Sequence, residues 1–417
     1  MQFDVYVNEN KVGTLTQSDI TNFSFEYDAS ANEQVSLLMP VSQKRYDLQF
    51  LHPVFQVSLP EGALRREIEI AFGKRMDAYG DMSILAVIGT SLIGRLSVVP
   101  SGRPLPPCGV MDSESITAVL KHGASADTVS NFVARHAQTS GVSGGYLKVL
   151  AKLHKDGVRV TGKVGRYIIK YSDEDHPFLG MNEHLSMTVA KNAGIDVPDT
   201  ILSDDGNVVL VKRFDITSNG GRLGFEDMCS LLAVQSGQKF MGSAEAIVKT
   251  IKNYASPDNK ASSLSAFFRQ YVCACLMRNG DAHLKNFGML YSTDGDARIS
   301  PCYDMVSMAA YAPFKNNGEV DDMMALTLSG TKRWPRNKQL AQLGVMCGLG
   351  PTESAKIIDE IASAIHLGMD QIRASIEENP AFAEVGGRML SLWQQGVDSI
   401  GFAPPPVASL GLTSSSA

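Results

Sequence analysis

Apolar and polar side chains alternate along the first stretch of the chain, the period of a strand with one buried face. The spacing predicts strands over residues 2–7 and 12–16, joined by a hairpin turn at residues 8–11, and a further strand over 22–27. A short apolar stretch at 55–59 ends at Pro60-Glu61-Gly62, a turn signal, and ALRREIEIAFGK then has the spacing of an amphipathic helix. The first hundred residues therefore predict a small mixed α/β unit. SGRPLPPCG, residues 101–109, reads as a linker. Residues 113–136 have helical spacing, and a glycine-rich loop runs from Gly141 to Lys148. VRVTGKVGRYIIKY, residues 158–171, reads as a hairpin whose second strand, Tyr167–Tyr171, is buried. A helix over 181–194 is closed by Gly194, with Pro198 beyond it. A strand over 208–211 runs into Lys212-Arg213-Phe214-Asp215. From Glu226 the pattern turns mostly helical, over 226–236, 242–255, 262–278, 336–347, 351–376 and 384–398. The Pro- and Ser-rich tail from residue 403 is expected to be disordered.

This order predicts an α+β, bilobal, protein-kinase-like fold with a strand-rich lobe ahead of a helical one. The expected divisions are a small subdomain over 1–100, the rest of the N-lobe over 101–222, a helical C-lobe over 223–402 and a tail over 403–417. Nucleotide is expected in the cleft between the lobes.

Composition narrows the classes. The chain has 417 residues, 44% hydrophobic and 20% charged, as in packed globular proteins. A net charge of −6, a pI near 5.8 and no Lys/Arg run argue against direct nucleic-acid binding. Six scattered cysteines, Cys108, Cys229, Cys273, Cys275, Cys302 and Cys347, form no CxxC or Cys/His zinc spacing and read as reduced thiols of a cytoplasmic protein. There is no signal-peptide pattern at the N-terminus and no apolar run of roughly eighteen residues, so no membrane association is expected.

The chemistry concentrates in two loops. MRNGDAHLKNFGML places Asp281 five residues before Asn286, and ISPCYDM places Asp304 eighteen residues further on. Phosphoryl transfer from ATP needs such an order: one carboxylate to orient the attacking hydroxyl, then an amide oxygen and a second carboxylate to hold Mg²⁺. Helix caps or turn residues are the plain alternative for each alone. Tyr167-Ile168-Ile169-Lys170 ends an apolar strand in a cation suited to the α- and β-phosphates, and Glu183 on the next helix is its candidate partner. Between Asp281 and Asn286, His283 and Lys285 are further candidates for contact with the same phosphates. A buried, hydrogen-bonded His283 and a solvated Lys285 are the alternatives. The loop SGVSGGYLK offers Gly144, Gly145 and Lys148 as a phosphate cradle, although it matches neither GxGxxG nor a Walker motif. Lys212, Phe214 and Asp215 fall where a kinase hinge belongs, with backbone groups for adenine and a carboxylate for ribose.

These segments together, VYVNENKVGTLT, LPEGALRREI, IGTSLIGRL, SGGYLK, YIIK, NEHLSMTVAKNAGIDVP, LVKRFD, FEDMC, NGDAHLKNFG, SPCYDM and MALTLSG, resemble in order the HipA-family serine/threonine protein kinases, the toxins of bacterial HipBA-type toxin–antitoxin systems. The resemblance covers nearly the whole chain. It implies a two-lobed fold related to phosphoinositide kinases, with ATP and Mg²⁺ as cofactors. It implies Asp281 as catalytic residue, Asn286 and Asp304 as metal ligands and Lys170 as phosphate ligand. It further implies a HipB-like DNA-binding antitoxin as partner, DNA contact only through that antitoxin, a dimer within the antitoxin complex, and a protein substrate such as an aminoacyl-tRNA synthetase whose phosphorylation arrests growth. The chain departs from the family at three points. Gly141 stands where a regulatory serine is usual, which leaves Ser140 and Ser143 as autophosphorylation candidates. Tyr146-Leu147-Lys148 replaces the usual Gln-x-Lys. Met305-Val306 after Asp304 means there is no DFG switch. A non-catalytic antitoxin-binding corepressor and a small-molecule kinase are the alternative functions.

Overall fold

In β1 (Gln2–Val7), Phe3, Val5 and Val7 are buried while the residues between them are partly exposed, as strict alternation demands. β2 (Asn10–Asp19) and β3 (Asn22–Tyr27) follow antiparallel, and with β4 (Arg45–Leu48) and β5 (Leu96–Pro100) they form a sheet ordered β4-β3-β2-β1-β5. The first hairpin is tighter than the alternation implies. Asn8 takes a left-handed conformation, φ 54°, and β2 starts by residue 10. In this computed structural model the described residues are 1–61, 65–66, 69–70, 80–90, 92–105, 120–121, 160–164, 166–292, 296–316 and 320–403. Residues 106–109 of the expected linker, nearly all of the expected helix at 113–136, the glycine-rich loop at 140–148 and nearly all of the tail from 403 lie outside them.

The apolar stretch around Phe55 is covered by a helical turn, α1 (Pro53–Gln56), with proline at its start. Phe55 packs on Phe25, ring centroids 5.9 Å apart. Arg65, Arg66, Glu69 and Ile70 are helical, as the amphipathic spacing predicts, and Arg65 pairs with Glu69 at 3.0 Å. α2 (Asp81–Ile88) closes the sheet's core.

A second sheet, ordered β6-β7-β9-β8, consists of β6 (Val160–Val164), β7 (Tyr167–Tyr171), β8 (Thr200–Leu202) and β9 (Val208–Lys212). The expected hairpin and buried strand are both present, and β7 lies between β6 and β9. Ile169 and Tyr171 join the apolar core of the first sheet. The pleat therefore sends Ile168 and Lys170 to the opposite face. α3 (Leu179–Asn192) connects β7 to β8 and ends at Gly194, φ 74°.

The helical lobe differs from the expected pattern at one place. Residues 226–236 are not one helix. Gly224–Asp227 is a strand, β10, paired with β11 (Gly288–Tyr291), and β12 (Arg298–Ile299) completes a small sheet. Asp227 then caps a single turn, α4 (Met228–Leu231), by accepting a hydrogen bond from the Ser230 amide. Strand pairing across sixty residues overrides the local helical spacing. The remaining helices match expectation closely: α5 (Ala244–Tyr254), α6 (Pro257–Leu276), α7 (Asn337–Met346), α8 (Pro351–Glu378) and α9 (Ala383–Asp398). They bury Phe267, Phe268, Tyr271, Phe382 and Trp393. α9 crosses α6 at Gly396, where a Cβ would run into the Leu276 carbonyl oxygen. Among the described residues no helix is long and apolar enough to cross a membrane.

Two buried polar knots tie the first sheet to the rest. Glu226, fully buried, accepts from Ser36 Oγ at 2.7 Å, the Leu37 amide at 2.7 Å, Ser230 Oγ at 2.6 Å and Tyr291 Oη at 2.9 Å. Four donors offset the cost of burying that charge. Arg213 binds Asp215 through two hydrogen bonds of 3.0 and 2.5 Å and also donates to the Leu92 carbonyl at 3.0 Å.

Candidate active site

The outward-facing Lys170 is 8% exposed, too buried for an unpaired ammonium. It donates to Glu183 Oε1 at 2.6 Å and to Asp304 Oδ1. Burial works against its cationic form, but Asp304 and Glu183 outweigh that, and its pKa is raised. Glu183 is in the second turn of α3, fully buried. α3 is pinned to the Asp304 segment by its neighbour Asn182. The Asn182 side chain accepts from the Ser307 amide at 2.9 Å and donates to the Ser307 carbonyl at 3.2 Å.

α6 delivers the loop that carries Asp281. It stops because Arg278 turns left-handed, φ 57°, a conformation costly for a side chain with a Cβ. The Asn279 amide then bonds to the Ala274 carbonyl at 2.8 Å and the Arg278 amide to that of Cys275 at 3.3 Å, the paired closure of a Schellman end. The Arg278 guanidinium lies over the Trp334 ring, 4.9 Å from its centroid, which helps hold the turn. Asn279 then links the two chemical loops. Its Oδ1 accepts from the Asp281 amide at 3.2 Å, and its Nδ2 donates to the Asp304 carbonyl at 3.1 Å.

From Asp281 the chain makes one tight turn. The Asn286 amide bonds to the His283 carbonyl at 2.9 Å, and Asn286 Oδ1 accepts from the His283 amide at 3.0 Å. Asn286 Nδ2 reaches Asp304 Oδ2 at 3.2 Å. Tyr303 Oη bonds to the Lys285 carbonyl at 2.7 Å, and Asp304 sits left-handed at φ 55°. His283 is buried against Phe240, and burial together with Lys239 lowers its pKa to about 4. It is therefore a neutral imidazole. Its Nε2 lies 3.9 Å from Asp281 Oδ1, and Asp281 itself is half-exposed.

These groups line one cleft of about 640 Å³ between the second sheet and the helical lobe. Lys170, Lys212, Phe214, Asp215, Asp281, His283, Lys285, Asn286 and Asp304 all border it. Gly144, Gly145, Lys148, Ser140 and Ser143 lie outside the described residues. Ile168, Val211 and an aromatic trio form the apolar wall. The Phe214 ring is 5.4 Å from Tyr303 and 5.5 Å from Phe225. The residues expected at the hinge are already engaged. Lys212 pairs with Asp199 at 3.4 Å on the surface. Asp215 is 1% exposed, bound by Arg213 and by the Gly94 amide at 2.7 Å. Its carboxylate thus fastens the loop before β5 to the segment that follows β9.

The donor set suits a hard divalent cation. Asp304 offers a carboxylate, with the Lys170 ammonium against Oδ1, while Asn286 turns Nδ2 to Asp304 Oδ2 and its oxygen to the His283 amide, so an amide oxygen meets a cation beside Asp304 once that side chain is reversed. Sequence reading missed Asn279, Asn182, Phe225 and Tyr303, none of which has a spacing signal. It also missed Glu61 and Lys239, which enter the cleft from distant segments.

Comparison with known proteins agrees along the chain. The HipA N-terminal domain profile matches residues 3–99 and the HipA-like C-terminal domain profile matches residues 140–368. Sinorhizobium fredii has two relatives described as "Putative kinase". One, Y4dM, is 25% identical over 85% of this chain and 82% of its own length. The other, Y4mE, is 24% identical over 72% and 76%. The fold superimposes on a solved chain of the Shewanella oneidensis complex of HipA, HipB and operator DNA. The TM-score is 0.71 at 15% identity, covering 96% of this chain and 98% of that one.

Proposed function

The chain belongs to the HipA family, and on that premise we propose that it is an ATP-dependent serine/threonine protein kinase that acts in the cytoplasm as a growth-arresting toxin. The observation that carries the catalytic part is the cluster in which Lys170, Glu183, Asp304, Asn286 and Asn279 are joined by hydrogen bonds in one cleft, with Asp281 beside them.

In this reading the nucleotide base lies against Phe214, Phe225 and Tyr303. Lys170, held by Glu183, grips the α- and β-phosphates. Asn286 and Asp304 would hold Mg²⁺, which would supply charge neutralisation at the phosphates. Gly144, Gly145 and Lys148 are the candidate phosphate cradle of this reading. Asp281 orients the serine or threonine hydroxyl and takes its proton as the oxygen attacks the terminal phosphorus, and ADP leaves with the bridging oxygen. Half-exposure suits Asp281 to meeting a protein substrate. Neutral His283 packs under the loop and positions it.

The subdomain over 1–100, the N-lobe remainder over 101–222, the C-lobe over 223–402 and the tail over 403–417 belong to the same proposal, as does a HipB-like DNA-binding antitoxin that neutralises the kinase. A translation component such as an aminoacyl-tRNA synthetase is the proposed target class. The test is phosphosite mass spectrometry of a bacterial lysate incubated with the purified chain, ATP and Mg²⁺, with and without a HipB-like antitoxin. New phosphoserine or phosphothreonine, suppressed by the antitoxin, is the expected outcome. Unchanged phosphosites on every lysate protein and on the chain itself contradict it.

A further inference from the structure

Glu61 reaches the cleft from the first-sheet region, and its carboxylate is surrounded by donors of the helical lobe. Ser236 Oγ donates to it at 2.8 Å, Lys239 Nζ at 2.8 Å and Lys285 Nζ at 3.1 Å. Lys285 also donates to Ser236 Oγ at 2.8 Å, so the donors are braced against one another. Glu61, Lys239 and Lys285 line the same cleft as Asp281, Asn286 and Asp304, and Lys285 directly precedes Asn286.

The charge count differs from that around Lys170. There, one ammonium has two carboxylates. Here two ammonium groups share one carboxylate. A further carboxylate of the cleft, Asp227, is committed to the Ser230 amide at 2.9 Å, and burial pushes its pKa up to about 6. Burial alone raises a carboxylate's pKa, yet Lys285 and Lys239 hold Glu61 down at about 2. The cradle is built for more negative charge than Glu61 supplies.

We propose that Ser236, Lys239 and Lys285 form an anion subsite for the terminal phosphate of the nucleotide, and that Glu61 occupies it until that phosphate displaces it. The inference rests on the kinase reading and adds a regulation to its site. A terminal phosphate brings roughly two negative charges and three acceptor oxygens against the single charge and two oxygens of a carboxylate, so it wins the cradle. Glu61 then makes the cleft sensitive to the number of phosphates: ADP, which lacks the terminal group, leaves the contact closed.

The test is calorimetric titration of the full chain with adenosine, ADP and ATP, each with Mg²⁺, for wild type, Glu61→Gln and Lys239→Met. Glu61→Gln keeps the shape and removes the competing charge. It is expected to tighten ATP about three- to tenfold while leaving adenosine unchanged. Lys239→Met is expected to weaken ATP by a similar factor, again without moving adenosine. Adenosine binding reports an intact cleft in each variant, and if Glu61→Gln fails to fold, Lys239→Met carries the test. Equal shifts for adenosine and ATP, or none for either, overturn the inference while leaving the kinase reading intact. Absence of adenosine and ATP binding in the wild type overturns the kinase reading itself, and this inference with it.

Discussion

The ammonium of Lys170 lies 2.6 Å from the carboxylate of Glu183, thirteen residues further along the chain and fully buried. Strand alternation aims Lys170 at the cleft, and Asn182, one residue before Glu183, bonds α3 to the segment that follows Asp304. The pair and the second carboxylate are thereby set by one short network rather than by long-range charge alone.

Lys170→Met is expected to lower the free energy of unfolding by about 3–5 kcal/mol, because it removes the ammonium that Glu183 and Asp304 share at a buried site. Glu183→Gln, which retains an acceptor, is expected to lose much less stability. Both are expected to lose ATP affinity. Denaturant titration beside ATP calorimetry checks this. Equal stability for wild type and Lys170→Met contradicts the pairing.

His283 gives a pH dependence of known sign. Its folded pKa of about 4 lies below the ordinary 6.5. Above 6.5 it is neutral in both states and contributes nothing. As pH falls from 6.5 to 4 the unfolded chain takes the proton and the folded chain does not, so stability declines by up to about 3 kcal/mol. His52, also near 4, acts the same way, whereas Asp227 and Asp322, pushed up to about 6, act oppositely. The histidine is therefore read as a difference. Relative to wild type, His283→Asn is expected to gain stability between pH 7 and pH 4.5. A parallel pair of pH profiles refutes its neutral burial.

Much of this was legible in the sequence. Period-two alternation marked β1 and β3, an apolar run ending in Lys170 marked β7, and the ordered Asp281, Asn286 and Asp304 marked the loops, because those signals are local in the chain. The overcalled helix at 226–236 failed because Glu226 and Asp227 are held by a strand partner beyond residue 287. The chain suggested a nucleotide-facing role for Asp215, but its pairing with Arg213 and the Gly94 amide had no signal in the sequence. Glu61 and Lys239 were illegible as a pair for the same reason. They lie 178 residues apart, and only the packed lobes bring them together.

Glu226→Ala tests the join between the first sheet and the helical lobe. It removes the acceptor of four donors, two of them from residues 36 and 37. Unfolding free energy is expected to fall by about 3 kcal/mol or more. Limited proteolysis is expected to cut first between the first sheet and the rest of the chain. Wild-type resistance to both urea and protease contradicts the role given to Glu226.

Gly396→Ala examines the support of the catalytic loop. The added methyl meets backbone, the Leu276 carbonyl, which has no side-chain freedom to yield. A loss of about 1–3 kcal/mol is expected, with a lower melting temperature and reduced phosphoryl transfer. A variant as stable as wild type refutes the tight crossing.

The most direct measurement of the central claim pairs Asp281→Asn with wild type in two assays, ATP binding by calorimetry and phosphate transfer by mass spectrometry. Because Asp281 is half-exposed and touches the proposed substrate side, the variant is expected to fold, bind ATP as wild type does, and transfer phosphate about 10²–10⁴-fold more slowly. Transfer at the wild-type rate from pure Asp281→Asn protein contradicts the account.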